Sequence, residues 1–310
     1  MKETVYAIEN GKLAKIKETD VQPSSGRGYW GVFSFEEAHE AGRIFGLEAG
    51  FLENLFLNRA IRFESHDGFD VIHYNPLQYG KEAVPVKEAC MYAAKNVFIM
   101  LADNSGAVCS IVDEISAEVE KTVPAGRLFY TFLERTTQDD AAYLESIEQE
   151  IALLEDQLIT SGKKNYVVEI INLRKKLMQF KRHYEQTLNV LDDIQENENE
   201  LIDPKSMRYF KIYANRVDRL YHIVLNLRDY VTQVREAYQA EVDISLNSIM
   251  KLFTVITAIF LPLTLLVGWY GMNLQMPEVA SPYSYPIVIA ASAGVVVFCL
   301  ISFRKHHWFK

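Results

Sequence analysis

Two long runs without a single charged side chain lie close together near the end of this chain. Residues 252–270 read LFTVITAIFLPLTLLVGWY, and residues 286–303 read PIVIAASAGVVVFCLISF. At about 1.5 Å of rise per residue, the first is long enough to cross a hydrocarbon core of roughly 30 Å, and the second is near the minimum. Two such runs in succession predict a pair of transmembrane helices, with a buried hairpin in a soluble core as the alternative. The bulk hydrophobic content of 49% hides this signal, because charges fill the preceding 250 positions.

The flanks set an orientation. Lys251 precedes the first run, while Arg304, Lys305, His306, His307 and Lys310 follow the second. The intervening stretch, 271–285, has no Lys or Arg and one acid, Glu278. An excess of positive charge marks the cytoplasmic side, so both termini are expected in the cytoplasm of a cell whose inner (plasma) membrane the chain spans twice. Trp269, Tyr270, Tyr283 and Tyr285 at one edge, and Trp308 and Phe309 at the other, suit interfacial aromatic belts in contact with lipid.

Before the membrane the chain has two characters. Over residues 1–135, the stretches TVYAI, WGVFSF, AIRFES, FDVIHY and NVFIML read as strands. FEEAHEAGRIFG and LEAGFLENLFLNR between them read as amphipathic helices. The alternation predicts an α/β domain whose sheet order is open. Over 136–250, Pro and Gly become scarce and long helices are expected. Leu144, Ile147, Ile151, Leu154 and Leu158 step by three and four until residues 161–164 (SGKK) interrupt them. Leu173, Leu177, Phe180, Tyr184, Leu188 and Leu191 mark a second helix. Asp203 and Pro204 suit the N-cap and first turn of a third. In that third helix, Phe210, Tyr213, Val217, Leu220, Val224, Leu227, Val231, Val234 and Tyr238 form an unbroken seam of coiled-coil spacing. The seam could pack on the chain's own helices or on symmetry mates. With no Pro or Gly from 205 to 260, the helix is expected to continue to about Tyr270, roughly 100 Å in all.

The expected organisation is therefore an α+β/α membrane protein. Its segments are a cytoplasmic α/β domain (1–135), a long-helix region (136–250), a first transmembrane helix (251–271), an outer loop (272–285), a second transmembrane helix (286–304) and a basic tail (305–310).

Several classes are disfavoured. A net charge of −9 argues against nucleic acid as a partner. Cys90, Cys109 and Cys299 are scattered, without CxxC, so neither a disulfide framework nor a thiolate zinc site is expected. The N-terminal MKETVYAIENGKLAKI has no apolar signal-peptide core. The seven histidines show no HExxH spacing, and neither GxSxG nor a GxxxxGK[ST] phosphate loop occurs, so an enzyme is not expected.

One face of the first membrane helix has the makings of an ion path. Asn247, Met250, Thr254, Thr257, Leu261, Thr264 and Gly268 share it by spacing, and it is smaller and more hydroxylated than the rest. Intramembrane Thr also serves to bond a carbonyl one turn back or to admit close helix packing. Pro262 frees a backbone carbonyl in mid-helix.

The helix ends in Tyr270-Gly271-Met272-Asn273, with MPE at 276–278 just beyond. In that setting, with PLT at 262–264, two C-terminal membrane helices, the RKHHWFK tail and the stretch FGLEAGFLENLFLNRAIRFESHDGFDVIHY, the sequence resembles the CorA family of Mg²⁺ channels over essentially its whole length. The resemblance implies a homopentamer with one central pore lined by the first membrane helix of each chain. It implies a selectivity ring of Gly271, Met272 and Asn273, whose neutral oxygens hold a hydrated Mg²⁺ without stripping its tightly bound waters. Glu278 would concentrate cations at the mouth. Asn247, Met250, Phe253, Thr257, Leu261, Thr264 and Gly268 would line the path. Phe253 is bulkier than the aliphatic residue expected at its position and lies one place off the strict face. A divalent ion gains roughly 4.6 kcal/mol per 100 mV on entry, at about 2.3 kcal/mol per charge, so membrane potential suffices as driving force. The resemblance further implies closure when cytosolic Mg²⁺ bridges acids between subunits, with Asp192, Asp193, Asp218, Asp229, Glu236, Glu241 and Asp243 as candidates. A Zn²⁺, Co²⁺ or Ni²⁺ transporter of the same fold, or a non-conducting membrane-anchored scaffold, are the alternatives. No organic cofactor is expected.

Overall fold

A computed structural model describes residues 5–9, 12–22, 26–55, 60–79, 85–118, 125–161, 166–272 and 283–305. It separates into two units, Met1–Val234 and Arg235–Lys310.

The first unit begins with a seven-stranded mixed sheet of order β2-β1-β3-β7-β6-β5-β4. The strands are β1 (Val5–Glu9), β2 (Lys12–Ile16), β3 (Gly28–Ser34), β4 (Arg62–His66), β5 (Phe69–Tyr74), β6 (Ala89–Ala94) and β7 (Val97–Ala102). Every pairing is antiparallel except β3–β7, which is parallel and sits at the centre. All six residues of β7 are buried. A strand covered on both faces has no reason to alternate polar and apolar side chains, and this accounts for the continuous VFIMLA run.

On one face of the sheet, α1 (Ala38–Phe45) and α2 (Ala49–Asn54) close over a core that includes Val5, Tyr29, Phe33, Phe45, Phe51, Cys90, Tyr92, Ile99 and Leu101. Gly46 ends α1 with φ of 71°, a left-handed geometry in which a side chain would be strained, and its N–H donates to the Gly42 carbonyl at 2.9 Å. On the other side lie α3 (Ser105–Glu118) and α4 (Ala125–Thr136), with Tyr74 of β5 edge-on to Phe132 of α4.

The helices α5 (Asp140–Ser161), α6 (Val167–Glu196) and the first half of α7 (Pro204–Tyr270) follow. The seam on α7 is buried from Phe210 to Val234 within a single chain. Its neighbours are that chain's own helices. Phe210 and Tyr213 meet Phe129 and Tyr130 of α4, Tyr230 donates to Glu155 of α5 at 2.5 Å, and Lys181 of α6 lies over the Tyr221 ring. This settles which of the two packings the seam serves as far as Val234. On α6 the buried register is Leu177, Phe180, Tyr184, Thr187 and Leu191, so Thr187 replaces the expected Leu188. Its hydroxyl donates to the His183 carbonyl at 2.9 Å and thereby enters the core satisfied.

Asp203 caps α7 as its position suggests. One carboxylate oxygen accepts from the N–H groups of Lys205 and Ser206, each at 3.0 Å, and the other accepts from the Ser206 hydroxyl at 2.5 Å. Pro204 occupies the first helical position, where its missing N–H costs nothing.

Two strands were not anticipated. KLAKI (β2) carries two lysines at a sheet edge, and three of the six residues of ACMYAA (β6) are alanines, which have weak strand preference. Pairing with β1 in one case, and burial between β5 and β7 in the other, override those local tendencies.

Candidate ion-path face of the membrane unit

The second unit contains the remainder of α7 and α8 (Ser284–Lys305). Both are long and apolar enough to cross a membrane. They pack through complementary stripes. On α7, Val255 is 7% exposed and Ala258, Ile259, Pro262, Leu263 and Leu266 are half-buried. On α8 the half-buried positions are Ser284, Val288, Ser292, Val295, Val296, Cys299, Ser302 and Phe303.

Pro262 interrupts the α7 hydrogen-bond ladder, because it has no N–H to donate to the Ala258 carbonyl four residues back. The Cys299 thiol of α8 donates to that carbonyl at 3.7 Å. Proline and cysteine thus form one feature. The carbonyl the first releases is the one the second reaches, and it lies on the side turned toward α8.

Asn247, Met250, Phe253, Thr257, Leu261, Thr264 and Gly268 are all exposed. At 100° per residue they centre roughly 155° around the helix from the stripe that meets α8. The chain therefore spends its own second membrane helix on one side of α7 and, among the described residues, leaves the hydroxylated side uncovered. The open surface along that side is made by Ile256, Thr257, Phe260, Leu261, Thr264, Leu265, Gly268, Trp269 and Met272. The Thr254 and Thr264 hydroxyls donate to the carbonyls of Met250 and Phe260, at 2.8 and 2.7 Å. Their hydrogens are consumed within the helix, while their oxygens keep lone pairs able to accept.

At the end of α7, the Gly271 N–H donates to the Val267 carbonyl at 2.8 Å. A β-carbon at Gly271 would stand 2.8 Å from the same oxygen, so no larger residue fits without a shift of the chain. The need for glycine is steric crowding at the helix end. Met272 follows with 43% exposure. Asn273 and Glu278 lie outside the described residues, as do 306–310.

Asp192, Asp193, Asp218, Asp229, Glu236, Glu241 and Asp243 are all exposed. Among the described residues, no three His, Cys, Asp or Glu side chains are gathered where they could hold a metal ion. Asp218 instead approaches His222, one turn on, at 3.5 Å.

Comparisons place this architecture. The model of the CorA-like Mg²⁺ transporter protein family matches residues 55–305. The chain is 25% identical over 319 residues to the cobalt/magnesium transport protein CorA of Thermotoga maritima, spanning 98% of this chain and 90% of that protein. It is 24% identical to the CorA of Methanocaldococcus jannaschii, covering 88% of each. Among solved structures, the complete CorA magnesium transporter of M. jannaschii superposes over 100% of both chains with a TM-score of 0.78 at 20% identity. The full-length CmaX protein does so over 97% of this chain and 96% of its own, with a TM-score of 0.73 at 17% identity. With the family model covering strands β4 to β7, the long helices and both apolar spans, the chain belongs to the CorA-like Mg²⁺ transporter family.

Proposed function

We propose that this protein is a Mg²⁺ influx channel in which copies of α7 surround one central pore. The observation that carries the reading is the uncovered side of α7, where Thr257, Leu261, Thr264 and Gly268 form an exposed face that α8 does not reach. An apolar helix of a membrane protein usually covers its small, hydroxyl-bearing residues with another helix. Here they are left for other copies or for water. Five copies around an axis, as the family resemblance implies, place that face inward and α8 toward lipid. Thr oxygens and the Asn247 amide then offer neutral acceptors to a hydrated cation, while Met250, Phe253 and Leu261 form apolar constrictions able to gate by dewetting.

Gly271, Met272 and Asn273 form the outer ring in this reading. Mg²⁺ sheds its waters reluctantly and prefers near-octahedral oxygen coordination. A ring of uncharged amides bonds those waters and releases the ion again, and Glu278 supplies negative potential nearby. The membrane potential drives inward movement, with both termini in the cytoplasm. Closure occurs when cytosolic Mg²⁺ bridges exposed acids of neighbouring copies, drawn from Asp192, Asp193, Asp218, Asp229, Glu236, Glu241 and Asp243. Their failure to gather within one chain agrees with sites shared between chains. Co²⁺ is a second cargo, on the ground that two relatives are named cobalt/magnesium transport proteins.

Flux into liposomes tests the reading. The purified protein, with an inside-negative potential, should admit Mg²⁺ and admit Co²⁺ to a lesser degree, and N273A should abolish discrimination between them. No Mg²⁺ flux above that of protein-free liposomes would instead support a non-conducting membrane-anchored scaffold, and flux unchanged by N273A would remove Asn273 from the selectivity ring. Proton-coupled Zn²⁺ uptake would replace Mg²⁺ as cargo.

A further inference from the structure

The turn between α4 and α5 is a buried, hydrogen-bonded polar site on which the segment β5–Tyr79, α6 and α7 converge. Asp140, the first residue of α5, is 1% exposed. Its carboxylate accepts from the Tyr184 hydroxyl of α6 at 2.7 Å and from the Tyr79 hydroxyl of the segment after β5. The charged group facing it is Arg216 of α7, whose guanidinium donates at 3.2 Å to the carbonyls of Thr137 and Gln138 and lies 3.7 Å from Glu134 of α4. Tyr213 of α7 donates to the Leu133 carbonyl at 3.1 Å. Next to Tyr184 on α6, His183 is 5% exposed, and its Nε2 lies 3.4 Å from the Tyr74 hydroxyl of β5. That hydroxyl is also 3.1 Å from the Thr136 hydroxyl at the end of α4. The sheet, α6 and α7 are all fastened to this corner.

The corner thus buries one acid and one base that do not pair with each other, since the Tyr74 and Tyr184 side chains take up their bonds. Burial disfavours the charged form of each, and the consequences for pH have opposite sign. We propose that Asp140 and His183 form a pH-compensated joint, which keeps the start of α7 fastened to the α/β sheet with nearly constant firmness as cytosolic pH changes.

The signs follow from linkage. Burial raises Asp140 to about 6, against the smaller lowering effects of Tyr184 and Arg216. A raised acid contributes its stability at low pH and loses it as pH rises through 6. Burial lowers His183 to about 4. A depressed base contributes its stability above its ordinary value and loses it as pH falls from about 6.5 toward 4. Acidification from pH 7 to 5 therefore strengthens the closed corner through Asp140 and weakens it through His183. The two changes oppose each other. The joint holds α7 from Pro204 to Val234 and does not depend on what passes through the membrane unit.

Amide-exchange protection of residues 133–143 and 204–220, corrected for intrinsic pH dependence, tests the proposal in the full-length protein. Between pH 7 and 5, wild-type protection should change less than that of either variant below. D140N should lose protection on acidification, by about tenfold relative to wild type. H183Q should gain protection by a similar factor. Y184F removes a bond to the carboxylate and should move the Asp140 contribution to higher pH, which supplies a readout if D140N does not fold. Profiles of D140N and H183Q that run parallel to wild type, or that deviate in the same direction, would overturn the proposal.

Discussion

Asn199, in the short connection between α6 and α7, holds the β4–β5 hairpin about 130 residues earlier in the chain. Its amide nitrogen donates to Asp70 Oδ1 at 2.7 Å, to the His66 carbonyl at 2.8 Å and to the Ser65 hydroxyl at 3.1 Å. Its oxygen accepts from the Gly68 N–H at 3.3 Å. The flanking Asn197 and Glu200 hold positive φ of 47° and 54°, so the backbone bends sharply to present this side chain. The N199A substitution removes every one of these bonds. Asp70 is 6% exposed and keeps the Ser65 hydroxyl at 3.0 Å as a partner. Losing a bond to a largely buried carboxylate costs about 1.5–3 kcal/mol, and each neutral bond at the exposed end about 0.5 kcal/mol. The sum is about 3–4.5 kcal/mol, which for a unit of this size lowers Tm by roughly 6–18 °C. Thermal unfolding in mild detergent, followed by fluorescence of Trp30 in β3, measures it. N199D has nearly the same shape, but loses the donors and sets a second carboxylate against Asp70, so at pH 7.5 it should be less stable than N199A. A shift within 1 °C for N199A, or N199D as stable as wild type, would refute the assignment of these bonds as the fastening of the hairpin.

Three further outcomes are expected. D203A removes the α7 cap and should cost about 1 kcal/mol in denaturant unfolding, while D203N, which retains the acceptor, should cost less. His73 is held down to about 4 by burial and then by Arg62, so its stability contribution is present above the ordinary histidine value and is lost as pH falls from 6.5 toward 4; the Tm of H73Q should accordingly fall less steeply than wild type over that interval. T264V removes a hydroxyl already bonded inside the helix at 2.7 Å, so helicity by circular dichroism should be unchanged while Mg²⁺ flux into liposomes falls.

What could be read in advance follows the range of the forces involved. The seam on α7 was visible because each of its positions is apolar and the register repeats locally, so Phe210 through Val234 could be placed without knowledge of their partners. The cap at Asp203 is local too. Strand β6 was missed because alanine-rich ACMYAA owes its conformation to neighbours 15 to 25 residues before it and to β7 after it. The direction of the seam, toward the chain's own helices, depends on α4 and α5 folding back, which periodicity does not encode. For the membrane unit, the spacing of Thr257, Leu261, Thr264 and Gly268 was legible, but its meaning required the position of α8. Only the half-buried stripe from Val255 to Leu266 separates the covered side from the open one. The contact of Cys299 with the carbonyl released by Pro262 joins residues 41 positions apart, and the Asp140 corner joins residues from Tyr74 to Arg216. In both, each residue alone looks ordinary.

The central claim is that the side of α7 turned away from α8 faces water in the assembled protein. Single cysteines at Leu261, Thr264 and Gly268, and at Val255 and Ile259 as controls, can be placed in a background carrying Cys90→Ala, Cys109→Ser and Cys299→Ser, the last of which keeps a donor for the Ala258 carbonyl. A charged, membrane-impermeant thiol reagent should modify the first three in liposomes and block Mg²⁺ flux, and leave the two controls unreacted. Modification of Val255→Cys and Ile259→Cys with no reaction at Leu261→Cys, Thr264→Cys and Gly268→Cys would contradict the account.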